Sequence, residues 1–335
     1  MTPNHPPPPL GFDPSALREG LRPLVPADPV ILSPEEDAYL RHYDIHFVEE
    51  FPGTAHHFGA VEAGEHRIAV HLWVPAQAAG TAVVIHGYYD HTGLFGHLIR
   101  HLIDRGLAVM SFDLPGHGLS TGAPASIETF DHYVAAFEAA MAALEHHLPQ
   151  PWHLLGQSTG AAVVMEWLLA NGLSRSTMPF SGVVLLAPLV RPYLWPLNRV
   201  VYAVARRLVR ERPRVFRNNT ENAEFLAFLR DRDPLQARSL PVQWVTAMVQ
   251  WRRRFEVRAP TDIAPLVIQG RADTTVDWRY NLRTIERLFE PRIFFVPQAR
   301  HHLVNETPEI RAQIFKAIDG ELGLGNPQER RDGRP

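Results

Sequence analysis

The sequence predicts an α/β protein with one mostly parallel sheet of eight strands and helices on both faces of that sheet. Short apolar runs alternate with longer stretches of helical periodicity along most of the chain, which is the pattern of βαβ units. The 335 residues, of which 45% are hydrophobic and 21% charged, suffice for a large core. Polar residues capable of catalysis follow several of the strands, at the sheet edge where such folds bind ligands.

Residues 1–50 are predicted to form an extension ahead of the sheet. Residues 1–12 contain four consecutive prolines, which suit neither a helix nor a sheet core, and we expect them to be disordered. Ser33 and Glu36 match the N-cap and the capping box of a short helix near residues 34–43. The chain does not open with the charged-then-apolar layout of a signal peptide, and no run of about 18 apolar residues predicts a membrane span.

Eight apolar runs predict the strands, of which the first two are typical of a hairpin: 56–61, 66–74, 82–85, 107–112, 152–155, 183–186, 266–269 and 293–296. The periodic segments of the sheet domain predict five helices: 92–105, 127–148, 158–171, 276–289 and 308–318. The α/β core is therefore expected to comprise residues 51–190 and 259–324, and a polar tail, residues 325–335, follows it.

Residues 191–258, called the insertion below, interrupt this alternation after the sixth strand and are predicted to form a helical lid. Helices are expected near 194–209, 221–230 and 242–255. The first and third should bury apolar faces formed by Leu197, Val201, Val204 and Leu208, and by Trp244, Met248, Trp251 and Phe255. Their inner residues should line an apolar pocket above the sheet, while three arginines should point outward: Arg199, Arg206 and Arg210.

Composition limits the possible functions. The net charge of −3 gives the whole chain no signature of a nucleic-acid-binding protein. The absence of cysteine excludes disulfides and cysteine-based zinc sites, and we expect a cytoplasmic protein that needs no metal or other cofactor. The insertion, however, carries fifteen arginines against six acidic residues. This charge indicates either a solvated face or attraction to anionic substrates and lipid surfaces, which would place the protein at the inner membrane surface.

The motif Gly156-Gln-Ser158-Thr-Gly160 predicts a catalytic nucleophile. It lies between an apolar run that ends at Leu155 and a helical pattern that continues to Leu169. A strand, a tight Gly-x-Ser-x-Gly turn and a helix together form a nucleophile elbow, in which the two glycines leave room for a strained serine. The serine oxygen is then exposed above the sheet, at the positive end of the helix.

A nucleophilic serine requires a histidine base and an acid that orients it, and both types of residue follow later strands. In elbow sites the acid precedes the histidine along the chain. Asp273 follows the strand 266–269 directly, whereas Asp277 stands where the next helix begins and suits that helix N-terminus. Asp273 is therefore favoured. The strand 293–296 is followed by His301 and His302, and spacing alone does not separate these two histidines.

The oxyanion of an acyl-transfer intermediate requires backbone N–H donors. The residue after the nucleophile, Thr159, should supply one of them. Tyr88 should supply the other, because the preceding His86 and Gly87 end the strand 82–85 in a tight turn.

These motifs together resemble the α/β-hydrolase superfamily, in the branch of monoacylglycerol lipases, bacterial lysophospholipase-like hydrolases and serine-aminopeptidase-like relatives. The matching pieces span about residues 53–320: His86-Gly87-Tyr88 with Asp90-His91, Phe112 to Ser120, Gly156 to Gly160, Leu186-Ala187-Pro188, Gly270 to Asp273, and His301 to Glu306. The branch commonly ends with His-Glu-Leu-Leu-Asn-Glu. This resemblance assigns the catalytic role to His301 and puts His302 where glutamate is usual, while Gln157 replaces a frequent histidine.

The resemblance implies a serine hydrolase that cleaves carboxylic esters through an acyl-enzyme formed on Ser158, with His301 and Asp273. A small-molecule or single-chain lipid ester, similar to a monoacylglycerol or a lysophospholipid, is the expected substrate. The residues expected to contact it are His86, Gly87, Trp195, Trp244 and Met248. Two alternatives remain, a small-ester carboxylesterase and a serine aminopeptidase or proline-iminopeptidase-like amidase.

Overall fold

The computed structural model describes residues 11–26 and 31–325. Its helices are α1 Pro14–Gly20, α2 Pro34–His42, α3 Phe47–Glu50, α4 Gly96–Asp104, α5 Phe130–Leu144, α6 Thr159–Ala170, α7 Trp195–Ala205, α8 Ala223–Asp231, α9 Val242–Phe255, α10 Trp278–Leu288 and α11 Pro308–Leu322. Its strands are β1 Ala55–Ala63, β2 His66–Val74, β3 Thr81–Ile85, β4 Ala108–Phe112, β5 Trp152–Gln157, β6 Phe180–Leu186, β7 Glu211–Pro213, β8 Ser239–Pro241, β9 Leu266–Gly270 and β10 Arg292–Val296. Within the described ranges, no helix has the length and apolar character needed to cross a membrane.

Eight of the strands form one sheet in the order β1-β2-β4-β3-β5-β6-β9-β10. The hairpin β1–β2 and the pair β2–β4 are antiparallel, and all the other pairs are parallel. The predicted eight-stranded, mostly parallel sheet is therefore confirmed. Helices pack on both faces and bury two apolar clusters, one on each side of the sheet.

The parallel register aligns the carboxyl ends of the central strands. Gln157 at the end of β5 pairs with Leu186, Leu186 pairs with Ile268 of β9, and Gly270 pairs with Val296 of β10. The loops that follow these strands therefore leave the sheet at one edge, where α/β sheets bind their ligands. Their backbones are also joined, because the amide of Ala272 donates to the carbonyl oxygen of Ala299 at 3.1 Å.

The N-terminal extension contains the helix that its capping signals predict. Ser33 caps α2, its hydroxyl accepting from the Glu36 amide at 3.2 Å while the Glu36 carboxylate accepts from the Ser33 amide. The expectation of disorder for residues 1–12 concerns residues 1–10 mainly, which lie outside the described residues. For residue 12 the expectation of disorder is wrong, because Phe12 is buried against Tyr39, with ring centroids 5.6 Å apart. The polar tail lies outside the described residues from residue 326 onward.

The insertion contains the three predicted helices and a short hairpin, β7–β8, that periodicity did not predict because each of its strands has only three residues. Helix α9 buries its predicted apolar face, including Met248 and Trp251. Helix α7 does not: Leu197 and Val204 are 61% and 59% exposed, and the helix ends at Ala205, before Leu208, which is 75% exposed. The prediction that this second face is buried is wrong, because α7 reaches the body mainly through Trp195 and leaves its apolar stripe without a covering element among the described residues.

Candidate active site

Ser158 occupies the strained turn that the elbow motif predicts. Its backbone has φ 53° and ψ −108°, in a region that non-glycine residues rarely adopt. The flanking glycines are required by close backbone approach. A Cβ at Gly156 would lie 2.6 Å from the backbone of Gly160, and a Cβ at Gly160 would collide with the carbonyl oxygen of Ile85. The turn therefore holds the serine directly before the N-terminus of α6, above the end of β5.

The structure brings Ser158, His301 and Asp273 into one hydrogen-bonded chain. His301 Nε2 lies 3.0 Å from Ser158 Oγ, and His301 Nδ1 donates to Asp273 Oδ2 at 2.8 Å. Asp273 Oδ1 accepts from the amides of Thr275 and Val276, so the orientation of the carboxylate is fixed by its own loop. A neutral imidazole held in this way accepts the serine proton at Nε2.

Burial and charge shift the pKa values of Asp273 and His301 in opposite directions. Burial raises the pKa of Asp273, but the attraction of His301 and the hydrogen bonds of its loop hold that pKa below its ordinary value. Burial lowers the pKa of His301, but the charge of Asp273 and the hydrogen bond to it raise that pKa above its ordinary value. The pair therefore favours an ionised carboxylate and a histidine with increased basicity.

The neighbouring candidates occupy different positions. Asp277 caps α10, its carboxylate accepting from the Tyr280 amide at 3.3 Å, and it pairs with Arg191 at 2.7 Å. His302 donates from Nε2 to Asp90 at 2.9 Å, whereas the hydrogen bond to Ser158 is made by His301. The geometry therefore joins Ser158 with Asp273 and His301, the members that the sequence favours.

The loop after β3 carries the expected oxyanion donor. Among the described residues, the amides of Tyr88 and Thr159 donate to no protein acceptor, so both are available to a ligand. His86 and Gly87 are not among the residues that line the cavity beside Ser158, and their contact with a substrate stays a prediction. The buried His86 instead supports the loop: its Nδ1 donates to the Gly87 carbonyl oxygen at 2.7 Å, and its Nε2 accepts from the Leu114 amide at 2.8 Å.

A cavity of about 360 Å³ lies between Ser158 and the insertion. The three predicted contact residues Trp195, Trp244 and Met248 line it. Trp244 also stacks on the ring of Tyr88, with centroids 3.7 Å apart, so α9 packs directly on the loop that carries the expected oxyanion donor. The opening over the serine therefore has an apolar, aromatic wall.

Two buried charge pairs beside the site were not predicted from the sequence. Asp90 pairs with His302; burial raises its pKa, but the charge of His302, the hydrogen bond to it and the charges of His86 and Arg214 together lower that pKa to about 2. Asp233 of the insertion pairs with His91 at 3.1 Å and accepts from the Tyr43 hydroxyl at 2.7 Å. It therefore joins the insertion, the β3 loop and α2. The partners are separated by 142 to 212 positions, so no local spacing could have revealed them.

The sheet topology, the elbow and the hydrogen-bonded chain define the α/β-hydrolase fold and a serine hydrolase of the class that cleaves ester bonds. Residues 76–308 match the profile of a family described as serine aminopeptidase, S33. Because this match covers well over half of the chain, the chain belongs to that family.

Several proteins of similar sequence are named as lipases or phospholipases. The chain is 27% identical over 267 residues to a monoacylglycerol lipase of Mycolicibacterium smegmatis, covering 76% of this chain and 91% of the relative. It is 27% identical over 265 residues to human monoglyceride lipase, covering 74% and 84%. A Bacillus subtilis phospholipase is 30% identical over 116 residues, covering 35% of this chain and 43% of that protein.

Solved structures share the fold. A monoacylglycerol lipase of Paleococcus ferrophilus superposes with a TM-score of 0.61 at 20% identity, covering 78% of this chain and all of that one. A Saccharomyces cerevisiae monoglyceride lipase, solved as a soluble variant with a substrate analogue, gives a TM-score of 0.63 at 17% identity, covering 78% and 93%.

Proposed function

We propose that this protein hydrolyses carboxylic esters of single acyl chains, using Ser158, His301 and Asp273 as a catalytic triad. The observation that supports it most is the hydrogen-bonded chain from Ser158 Oγ through His301 to Asp273, at 3.0 and 2.8 Å, beside a cavity with one apolar, aromatic wall. His301 takes the proton of Ser158 as its oxygen attacks the ester carbonyl, and the amides of Tyr88 and Thr159 stabilise the oxyanion.

The same residues complete the cycle. His301 gives its proton to the leaving alcohol as the acyl–oxygen bond breaks, and Asp273 stabilises the imidazolium formed before that transfer. Water then enters, His301 removes a proton from it as its oxygen attacks the acyl-enzyme, and His301 returns that proton to Ser158 Oγ as the acyl–Oγ bond breaks and the carboxylic acid is released. No step needs a cofactor, because the residues supply nucleophile, base and oxyanion donors.

The acyl group is assigned to the apolar wall of the cavity, which Trp195, Trp244 and Met248 form. Burying an acyl chain there favours binding by about 0.8 kcal/mol for each methylene. The names of the relatives, monoacylglycerol lipase and monoglyceride lipase, support a glycerol ester of one fatty acid as the substrate type.

Ester hydrolysis is favoured over the aminopeptidase activity in the family's description. An aminopeptidase must bind the cationic amine of its substrate, usually with free carboxylates. The carboxylate that lines the cavity in the described ranges is Asp90, which is already paired with His302, whereas several arginines line it. A cavity of this charge disfavours a cationic amine.

The insertion is proposed to be a lid that contacts anionic membranes. Helix α7 exposes Leu197, Val201 and Val204 together with Arg199 and Arg206, so apolar and basic side chains are available on one exposed helix. Such a combination suits binding at the interface of an anionic bilayer. The substrate would then enter the cavity from the membrane.

The experiment that tests the substrate type is a series of monoacylglycerols with two to sixteen acyl carbons, measured below the concentrations at which they form micelles where solubility permits. The proposal predicts that kcat/KM rises with chain length to about ten carbons, because the chain fills the apolar wall. Highest kcat/KM on acetate esters would contradict it and favour a small-ester carboxylesterase, and faster cleavage of aminoacyl amides would favour the aminopeptidase.

Membrane contact is tested separately, by sedimentation with vesicles that contain phosphatidylglycerol. Arg199→Gln/Arg206→Gln/Arg210→Gln should weaken vesicle binding and leave turnover of a soluble short ester unchanged, because these arginines are exposed and do not line the cavity. Absence of vesicle binding by the wild type would contradict the proposed membrane contact alone.

A further inference from the structure

One wall of the cavity beside Ser158 is basic. Four arginines line it: Arg212, Arg214, Arg217 and Arg230. Arg230 pairs with the adjacent Asp231 at 2.9 Å, but the other three form no ion pair within the described ranges. Asp90, a carboxylate that also lines the cavity, accepts a hydrogen bond from His302. The three remaining guanidinium groups, called the arginine wall below, therefore bring positive charge to the cavity without an ion pair within the described ranges. The carboxylate charges that act on Arg214 are those of Asp90 and Asp233, and each of these carboxylates is already paired with a histidine.

Arg214 is the most constrained member of the arginine wall. Its guanidinium lies over the ring of Tyr89 at 3.9 Å and over the ring of Phe216 at 4.4 Å. Nη1 donates to Gln236 and to the carbonyl oxygen of Ala237, whereas Nε and Nη2 donate to no protein group among the described residues. Burial lowers the pKa of Arg214. A half-buried guanidinium held between two rings, with donors left over beside a cavity, is pre-organised for an anion.

Strand geometry places a second guanidinium beside the first. Arg212 lies in β7, and the ladder continues through the Arg214 amide, which donates to the Arg238 carbonyl oxygen at 2.9 Å. Residues two apart on a strand project from the same face, so Arg212 and Arg214 share one side. Burial raises the pKa of the Tyr89 phenol, and the charges of Arg214 and Arg212 oppose that rise, which places both guanidinium groups near this hydroxyl.

The arginine wall lies on the histidine side of the site. The chain that carries it continues to Asn219, whose carbonyl oxygen accepts from the amides of His301 at 3.0 Å and His302 at 2.7 Å. Arg217 is two residues before this junction. In acyl transfer the histidine protonates the leaving oxygen, so the alcohol half of the substrate must lie beside it. The apolar wall packs on Tyr88 of the oxyanion loop, and Arg214 contacts the next residue of that loop, Tyr89, so the placement on the histidine side depends on Arg217 and Asn219.

We propose that Arg212, Arg214 and Arg217 form a subsite for a phosphate group on the alcohol half of the ester. The inference rests on the proposed ester hydrolysis and specifies its substrate, a single-chain acyl ester of a phosphorylated polyol. Planar guanidinium groups bind phosphate oxygens through paired N–H donors, which is the geometry that the arginine wall offers. The acyl–oxygen bond breaks, the leaving oxygen takes its proton from His301, and the phosphate ester is released intact.

The test compares three esters with the same eight-carbon acyl chain, all kept as monomers: octanoylglycerol, octanoylglycerol phosphate, and a glycerol monoester of suberic acid, whose carboxylate lies on the acyl half. Wild-type kcat/KM for the phosphate ester should exceed that for octanoylglycerol by about tenfold or more, the scale of one charge-assisted hydrogen bond. The suberate ester should show no such preference, because its charge is directed at the apolar wall.

Substitutions then test whether the arginine wall causes the preference for the phosphate ester. Arg212→Gln/Arg217→Gln should bring the phosphate-to-neutral ratio of kcat/KM close to one, and Arg214→Gln should do the same if its thermal unfolding matches the wild type. The control Arg253→Gln/Arg279→Gln removes the same charge from two exposed arginines outside the cavity lining and should keep the wild-type ratio.

The results that overturn the subsite are distinct from those that overturn ester hydrolysis. A wild-type ratio near one, a ratio that survives in the arginine-wall variants, or an equal loss in the control would each reject the subsite while octanoylglycerol is still cleaved. A preference for the suberate ester would place the anion on the acyl half and reject the stated orientation. Failure to cleave any of the three esters would reject the proposed function itself.

Discussion

The carboxyl edge of the sheet and the insertion above it are built in opposite ways. At the sheet edge, Ser158, Asp273 and His301 are buried and each is fixed by hydrogen bonds to a neighbouring loop. In the insertion, α7 leaves Leu197 and Val204 exposed beside exposed arginines. The difference shows that the side chains at the sheet edge are fixed by the core, whereas α7 leaves apolar and basic side chains open to solvent.

The insertion itself contains one helix that is packed against the core, α9, and one that is largely exposed, α7. Helix α9 packs Met248, Trp251 and Phe255 into the main core, and Trp251 donates to Glu166 at 3.1 Å. Helix α7 makes few such contacts and buries Trp195 alone among its described side chains. We therefore expect α9 to behave as part of the sheet domain, and α7 to tolerate change without loss of stability.

The largest effect should follow from removal of the candidate nucleophile. Ser158→Ala should lower kcat by about 10⁴ to 10⁶, because triad members act as a unit. Ser126→Ala is the matched control, since Ser126 is also 7% exposed and its hydroxyl contacts Gln243 instead of a histidine. Hydrolysis of p-nitrophenyl octanoate measures both. Comparable activity of the two variants would show that Ser158 at the sheet edge is no more important for hydrolysis than a buried serine outside the triad.

A smaller loss should distinguish the two acidic residues. Asp273→Asn should lower kcat by about 10⁴, because an amide at this position no longer holds His301 in its productive tautomer. Asp277→Asn should cost much less, since its contacts are the start of α10 and Arg191. If steady-state kinetics gave the reverse order, Asp277 would be the orienting acid.

The pH profile should report the candidate base. The pKa of His301 is raised above 6.5 by Asp273, and only the neutral imidazole accepts a proton. Activity should therefore fall as the pH drops through a midpoint above 6.5, and Asp273→Asn should move that midpoint to lower pH in its residual activity. His302→Ala should retain the wild-type midpoint, so a shift in this variant would assign the titration to the other histidine.

The smallest effects should separate the two insertion helices. Trp251→Ala should lower the free energy of unfolding by about 3 to 5 kcal/mol, because it removes a fully buried side chain. Leu197→Ala should change it by no more than about 0.5 kcal/mol, because that side chain is already exposed. Urea unfolding measures both values. A large loss for Leu197→Ala would show that α7 is packed against the body in solution.

The sequence predicted those features whose information is local or periodic. The elbow around Ser158, the capping box at Ser33 and the strand ends before Asp273 and His301 all depend on short spacings. Periodicity also predicted the apolar stripe of α7, but a stripe does not specify what covers it, so its exposure was missed.

Features that join distant parts of the chain were not predictable in this way. Asp90 meets His302 across 212 positions, and Asp233 meets Tyr43 across 190. The arginine wall was missed for a related reason. The sequence shows the excess of arginine in the insertion, but it does not show which of these arginines face the cavity. Only the folded backbone decides these pairings, because each partner alone is an ordinary polar residue.

Covalent mapping of the acyl-enzyme site tests the central claim most directly. The protein is treated with a fluorophosphonate that carries an octyl chain, digested and examined by mass spectrometry. The account predicts one adduct, on the peptide that contains Ser158, with labelling abolished in Ser158→Ala and strongly slowed in His301→Ala. An adduct on another serine, or equal labelling of Ser158→Ala, would contradict it.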